Sequence, residues 1–333
     1  MGLSPGLCDA PRRRGAGAGR DEEPEPCSPT PRETRPEAEA EGTRFEPPSL
    51  GGLPIIDPDD LIEDEEDGAG VDEEFEEFDV DDESRTVLIT GACGNIGRKL
   101  RTAWEDVYDL ILLDAEPGED DAEVFKVDLA EFDEEWITHF HGVDTVVHLA
   151  ADRDEDASLA ALERPNLDAL ANVLNAAALA GVERFIFASS VHVMTGCREE
   201  PPEVIRADAP PQPSGVYGVL KLAGERFGKS LAQAFDVTFI ALRLGYVQDG
   251  PNRPETLPDE WNKKLWLSNG DLVRLFDHAV EAEIEDRLFL VVNGVSRNHG
   301  GQWDLTEAAE VLGYLPEDDA FAPKEQVADY FVT

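Results

Sequence analysis

The chain has 333 residues, and its 73 acidic and 28 basic side chains give a net charge of −45. A chain this acidic repels phosphate backbones and anionic lipids, so we expect it to bind neither nucleic acid nor membrane surfaces. The four cysteines lack CxxC spacing and no apolar run reaches 18 residues, which argues against a metal site, a disulfide framework and a membrane span.

The first 84 residues differ in composition from the rest of the chain. Residues 1 to about 50 are rich in Pro, Gly, Arg and Glu, and 17 of the 28 residues from 57 to 84 are acidic. Such a segment cannot bury enough apolar surface to offset chain entropy, so we predict a disordered acidic extension over residues 1–84. Two interpretations stay open, a solvating or regulatory tail and a start codon placed too far upstream. No apolar segment follows the basic residues near the N-terminus, which favours a cytoplasmic protein.

Residues 85–333 alternate short apolar strands with helical segments. This alternation predicts an α/β fold with a doubly wound parallel sheet, the Rossmann class. A small substrate-binding region is expected mainly from residues 244–333. The predicted strands cover residues 86–90, 109–113, 144–149, 184–188, 237–242 and 288–292, with a short strand before Asp128. The first predicted helix follows the first strand and ends near residue 105. Further helices are predicted over residues 166–179, 215–235, 269–281 and 304–312.

A glycine-rich turn follows the first predicted strand, with Gly91, Gly94 and Gly97 in GxxGxxG spacing. Glycines allow a tight turn and let the backbone approach a pyrophosphate at the N-terminus of the next helix. Asp114 closes the second strand, where a carboxylate would hold the adenosine ribose hydroxyls and repel the extra phosphate of NADP. The sequence therefore predicts an NAD site, with Asn95 and Ile96 of the turn as part of it.

The GxxGxxG spacing resembles that of the extended short-chain dehydrogenase/reductase family, and the resemblance covers most of residues 85–318. Three further segments resemble the family's cofactor-contacting motifs. They are Asp128-Leu129, Val147-His-Leu-Ala-Ala151 and the helix that begins at Asn166. The resemblance implies that Asp128, Leu129, Leu149, Ala150, Ala151 and Asn166 contact NAD. His148 of the second segment is interpreted instead as a buried structural histidine.

Tyr217 and Lys221 form a YxxxK pattern on a predicted helix, where residues four apart lie on one face. A lysine ammonium and a positive nicotinamide ring would favour the tyrosine phenolate, which suits it to general acid/base work. In the family that this chain resembles, a serine precedes this pair, as Ser190 does here. The resemblance implies that Ser190 binds the reacting oxygen, Tyr217 moves its proton, and Lys221 tunes Tyr217 and holds the nicotinamide ribose.

The segment around Ser190, "FASSVHVMTG", resembles the "FASSNHxxG" segment of the uronate dehydrogenases, which oxidise the anomeric carbon of hexuronic acids with NAD. The resemblance implies that His192 contacts the sugar. Val191 replaces the asparagine of that segment, and Arg153 and Tyr246 also depart from the uronate pattern, so we expect an altered substrate pocket. Arg253 stands where those enzymes bind the substrate carboxylate, and Arg153 is a second candidate for that role.

These features predict an NAD-dependent oxidation of the anomeric carbon of a free hexuronate, aldose or sugar phosphate. One alternative is a nucleotide-sugar epimerase or related reductase of the same family, in which no net NADH appears. Another is an NAD-binding sensor without catalysis. The family resemblance also implies a homo-oligomer, a dimer or larger.

Overall fold

The computed structural model describes residues 84–285 and 287–323. The predicted disordered extension therefore lies outside the described residues except for Ser84. Within the part of the chain that is described, no helix is long and apolar enough to cross a bilayer.

Seven parallel strands form one sheet in the order β3-β2-β1-β4-β5-β6-β7. Their bounds are β1 Thr86–Thr90, β2 Asp109–Asp114, β3 Val124–Lys126, β4 Thr145–His148, β5 Arg184–Ser190, β6 Thr238–Leu244 and β7 Phe289–Gly294. The central strand β1 pairs with β2 on one side and with β4 on the other. After β3 the chain crosses back over β1 and adds β4 to β7 on the other side of it. The position between β1 and β4 is therefore the switch point where such sheets bind ligands. This topology confirms the predicted fold class.

Helices cover both faces of the sheet. Their bounds are α1 Asn95–Trp104, α2 Glu134–Ile137, α3 Leu159–Glu163, α4 Ala169–Ala180, α5 Gly215–Phe235, α6 Glu260–Lys264 and α7 Asn269–Glu281. One core cluster contains Trp104 of α1 and Phe276 of α7, and the other contains Leu170 of α4 and Leu231 of α5. Because both faces are covered, strands such as β4 are buried at every position.

One helix differs from its prediction. The segment predicted as 166–179 begins earlier, because α3 runs into α4 through a π-helical stretch, Arg164–Asp168, that contains Pro165. Proline lacks an N–H and its ring clashes with the preceding turn, so the sequence pattern favoured a helix start after it. The wider π turn accommodates the proline inside a continuous helical segment.

Candidate active site

A cleft of about 930 Å³ lies at the carboxyl ends of the central strands. Most of the predicted site residues line it together. They are Gly91, Gly94, Asn95, Ile96, Gly97, Leu149, Ala151, Arg153, Ser190, Val191, His192, Tyr217, Lys221 and Tyr246. The fold therefore brings residues from five separate segments of the chain to one cavity of a size typical for ligand sites.

The glycine turn has the shape that a dinucleotide needs. Gly91 has a φ of +73°, and a Cβ at that position would lie 2.7 Å from the amide nitrogen of Ala150. A Cβ on Gly97 would lie 2.3 Å from the carbonyl oxygen of Gly91, so only glycine lets α1 pack against the turn. Gly94 immediately precedes α1, so the N–H groups of the first helical turn, which have no partner within the helix, lie beside the glycine turn, and Asn95 and Ile96 line the cleft. The turn therefore fits a pyrophosphate at a helix N-terminus.

Asp114 lies at the end of β2 beside this turn. Its Oδ2 accepts a hydrogen bond from the Cys93 amide at 2.9 Å, and its Oδ1 accepts one from the Glu116 amide at 2.9 Å. These bonds fix the carboxylate next to the glycine turn, and each oxygen keeps a lone pair for a ribose hydroxyl.

Asp121 is a buried carboxylate near this turn that the sequence analysis did not identify. It accepts hydrogen bonds from Arg98 at 2.7 and 3.1 Å, from Arg101 and from the Gly118 amide. The Arg98 guanidinium, with help from Arg101, holds the pKa of Asp121 well below its usual range. Asp121 therefore fastens the loop between β2 and β3 to α1 beside the turn.

Several residues predicted to contact NAD do not line the cleft. The Asn166 side chain donates to the Asp152 carbonyl at 2.9 Å and accepts from the Asp152 amide at 2.7 Å, so it holds the loop after β4. Asp128 pairs with Arg164 at 2.7 Å, and Leu129 is buried. Ala150 also lies outside the lining, although its backbone packs against Gly91. Asp114 is likewise absent from the lining, and contact of these five residues with NAD stays a prediction.

His148 has a structural role, as interpreted from the sequence. Its ring is 2% exposed, and its Nδ1 lies 2.9 Å from the Thr90 hydroxyl. Burial, with a smaller contribution from Lys221, lowers the pKa of His148 to about 3. The imidazole is therefore neutral at physiological pH and packs between β1 and β5.

Ser190, Tyr217 and Lys221 converge inside the cleft. Ser190 ends β5, and its side chain hydrogen-bonds with Tyr217, which lies in the first turn of α5. Lys221 lies one turn further along α5, with its Nζ 5.6 Å from the centre of the Tyr217 ring. Its ammonium donates to the Ala188 carbonyl at 2.9 Å. The three residue types needed for proton transfer at a hydroxyl thus meet at one point.

The protein groups around Tyr217 do not by themselves favour its phenolate. Burial raises the pKa of Tyr217 to about 12; the Glu155 carboxylate adds to this rise, and the Ser190 hydrogen bond opposes it. The sequence analysis attributed a favoured phenolate to the lysine and the nicotinamide together. The lysine ammonium is itself destabilised, because burial lowers the pKa of Lys221 to about 8.

The buried Lys221 predicts a specific pH dependence of stability. Its pKa is about 8 in the folded protein and 10.5 ordinarily, so the unfolded chain binds the proton more tightly between these values. The free energy of unfolding therefore gains a contribution that rises from about pH 8 to about pH 10.5. Lys221→Met removes this contribution. The difference in free energy of unfolding between the variant and the parent must therefore change between about pH 8 and about pH 10.5, which denaturant titrations measure. A difference that stays constant with pH would contradict the low pKa.

The helix that carries Tyr217 and Lys221 also holds one partner of a buried ion pair. The Arg243 Nε and Nη2 atoms lie 2.8 Å from the two carboxylate oxygens of Glu225, and the Ser189 hydroxyl donates to Glu225 at 2.7 Å. Arg243 also donates to the Ala207 carbonyl at 3.0 Å. The Ser189 side chain is therefore bonded to this ion pair, whereas its neighbour Ser190 lines the cleft with Tyr217.

His192 lines the cleft, and a loop residue that the sequence analysis missed contacts it. Its Nε2 is 3.0 Å from the Glu155 carboxylate, and its Nδ1 is 3.3 Å from the Ser214 hydroxyl. The ring also meets the Tyr217 ring edge-on at 5.7 Å between centres. Val191 beside it is 3% exposed. The sequence gives no periodic signal for Glu155, because it lies in an irregular loop.

The two arginines proposed to bind an anionic substrate have different positions. Arg153 lines the cleft, but both its terminal nitrogens lie 3.0 Å from the oxygens of Asp249. Arg253 is exposed and does not line the cleft. Tyr246 lies at the mouth and is 49% exposed. The structure therefore does not bring Arg253 together with Ser190 and Tyr217.

Comparisons with known proteins agree with this geometry. The model of the NAD dependent epimerase/dehydratase family matches residues 87–263. An NAD-dependent glucose-6-phosphate dehydrogenase of Haloferax volcanii is 33% identical over 70% of this chain and 94% of its own length. An L-arabinose 1-dehydrogenase (NAD(P)(+)) of the same organism is 33% identical over 70% of this chain and 97% of its own length. The crystal structure of uronate dehydrogenase from Agrobacterium tumefaciens, 28% identical, superimposes with a TM-score of 0.61 over 71% of this chain and 85% of that one.

Proposed function

Because this chain belongs to the NAD-dependent epimerase/dehydratase family, with NAD as its cofactor, we propose that it oxidises the anomeric carbon of a free sugar or sugar acid. The observation that carries the proposal is the meeting of Ser190, Tyr217 and Lys221 in the cleft that the glycine turn opens. The sugar dehydrogenases to which the chain is similar support oxidation of a sugar with NAD in general.

In the proposed reaction, bound NAD supplies the acceptor for the hydride that leaves C1. The Tyr217 oxygen takes the proton of the anomeric hydroxyl, and the C1–O bond becomes the carbonyl of a lactone. The Ser190 hydroxyl, held at the end of β5, donates a hydrogen bond to the same substrate oxygen. A cyclic aldose thus loses one hydride and one proton.

Lys221 has two roles in this proposal. Its ammonium lies 5.6 Å from the Tyr217 ring centre and stabilises the phenolate as it forms. The bond from its Nζ to the Ala188 carbonyl fixes the long side chain, so little conformational freedom is lost when substrate binds. The remaining donors of the ammonium can face a ribose hydroxyl in the cleft.

A substrate panel tests the proposal. The enzyme is incubated with NAD and, separately, with neutral aldoses, uronates, sugar phosphates and nucleotide sugars, and NADH absorbance is followed. We expect NADH to accumulate with at least one free sugar, and a lactone to form in equal amount. The Lys221→Met variant serves as the control for background reduction. Interconversion of nucleotide-sugar epimers without net NADH would overturn the proposal in favour of an epimerase.

Further parts of the proposal rest on composition and family resemblance. The acidic charge of the chain supports an enzyme that binds a small sugar and neither nucleic acid nor membranes. We infer a cytoplasmic location and a homo-oligomer, a dimer or larger. Sedimentation of the purified protein measures the second of these directly. Within the described residues, no group of three or more His, Cys, Asp or Glu side chains is placed to hold a metal ion.

A further inference from the structure

We propose that the substrate is a neutral aldose, without a carboxylate or phosphate, and that Glu155 binds one of its hydroxyls. This inference rests on the proposed function and narrows its substrate class. It is carried by the distribution of charge in the cleft, where every basic side chain of the lining already has a partner in the protein.

Four basic side chains line the cleft: Arg98, Arg153, Arg198 and Lys221. Arg98 is bound to the buried Asp121, and Arg198 pairs with Asp259 at 2.8 Å. Arg153 makes the two-pronged pair with Asp249. Lys221 is buried under Tyr217 and donates to a backbone carbonyl. An anionic sugar would therefore have to displace a carboxylate in order to gain one of these arginines.

Two carboxylates near the reacting centre have no arginine or lysine partner among the described residues. Asp152 and Glu155 line the cleft without such a pair, whereas Asp249 is paired with Arg153. Glu155 and Asp152 both raise the pKa of Tyr217, and Arg153 alone of this group lowers it. Glu155 lies 3.0 Å from the His192 ring, which in turn packs against Tyr217, so its charge is near the reacting centre. Unpaired carboxylates in the cleft repel a sugar that carries a carboxylate or phosphate of its own.

Glu155 suits a neutral polyol for a separate reason. It is 56% exposed, and its Oε1 lies 3.0 Å from His192 Nε2. A carboxylate has about four acceptor positions, so Glu155 can accept sugar hydroxyls while it keeps His192 in place. Hydrogen bonds from hydroxyls to a charged acceptor are stronger than those to a neutral one. One side chain thus binds uncharged sugars and disfavours charged ones.

The ion pair between Arg153 and Asp249 allows a test of how charge in the cleft selects between neutral and anionic sugars. Their side chains are 69% and 67% exposed, so the ion pair contributes little to folding. Asp249→Asn removes one negative charge from the cleft and leaves Arg153 without its carboxylate partner. We therefore expect the variant to accept anionic sugars better than the parent does, without a large change in stability.

The experiment measures kcat/KM for three hexoses that differ only in the group at C6, D-glucose, D-glucuronate and glucose 6-phosphate, with L-arabinose as a neutral pentose. For the parent enzyme, we expect the best neutral sugar to exceed both anions by about tenfold or more. Asp249→Asn is expected to raise kcat/KM for an anion by about tenfold relative to the neutral sugar. Glu155→Gln is expected to lower kcat/KM for the neutral sugar by about tenfold or more.

Asp106→Asn is the matched control, since it removes one exposed negative charge outside the cleft. We expect it to leave the ratio between neutral and anionic sugars unchanged. A parent enzyme that prefers glucuronate or glucose 6-phosphate would overturn the inference and leave the proposed function standing. Unchanged ratios in Asp249→Asn and Glu155→Gln would overturn the roles of these residues. If no free sugar yields NADH with any variant, the proposed function itself fails.

Discussion

Replacement of Tyr217 with phenylalanine is expected to lower kcat by a factor of about 10²–10⁴, the usual contribution of a positioned acid or base. The substitution removes only the hydroxyl that hydrogen-bonds with Ser190 and keeps the ring that packs edge-on against His192 at 5.7 Å. Ser190 is a poor base and Lys221 is protonated at neutral pH, so neither of them replaces the Tyr217 oxygen as the proton acceptor. Initial rates of NADH formation measure the effect.

The same variant should retain its affinity for NAD, because the glycine turn and Asp114 are unchanged. Titration of the cofactor by calorimetry checks this. Tyr108→Phe makes the same chemical change at a tyrosine near the end of α1, outside the cleft, and should leave kcat close to that of the parent. If Tyr217→Phe keeps more than about a tenth of the parent kcat, the proton must go to another group and Tyr217 is not the base.

Tyr217 also shows what its sequence motif could and could not predict. The spacing to Lys221 predicted that both side chains share one face of a helix, and they lie on α5 in this way. The motif does not encode burial or the neighbouring Glu155, which together raise the pKa of Tyr217 to about 12. A pattern of four residues specifies relative position along a helix, whereas a pKa depends on every charged group that the fold brings near.

The same distinction holds for the rest of the site. Gly91 and Gly97 were predictable because close backbone approach in a strand-turn-helix unit has a local sequence signature. Asp121 and Glu155 were missed because their partners, Arg98 and His192, lie 23 and 37 positions away in irregular or separate segments. Sequence gives no periodicity for such long-range pairs. Arg153 was identified as a candidate ligand, but the sequence did not show that Asp249 would neutralise it.

The buried pair of Glu225 and Arg243 leads to the largest expected effect on stability. Arg243→Met should lower the free energy of unfolding by about 3–5 kcal/mol, because it leaves the Glu225 carboxylate buried without its cation. Both side chains are almost fully buried, at 1% and 3% exposure, so water cannot replace the lost partner. Urea denaturation measures the loss as a lower transition midpoint.

A double variant separates the unpaired charge from the loss of packing. Arg243→Met with Glu225→Leu should recover most of the stability, since an apolar pair of similar volume replaces a buried ion pair at little or no cost. The Ser189 hydroxyl then loses its acceptor, a cost of about 1–3 kcal/mol, which Ser189→Ala should remove.

Arg85→Met, at an exposed pair with Glu281, is the matched surface control and should cost less than about 1 kcal/mol. Equal losses in the single and double variants would show that arginine packing, and not the buried charge, stabilises this region. Glu225 belongs to α5, the helix that carries Tyr217 and Lys221. A triple variant, with Arg243→Met, Glu225→Leu and Ser189→Ala, that is stable and retains kcat would therefore show that α5 holds Tyr217 and Lys221 in place without the ion pair.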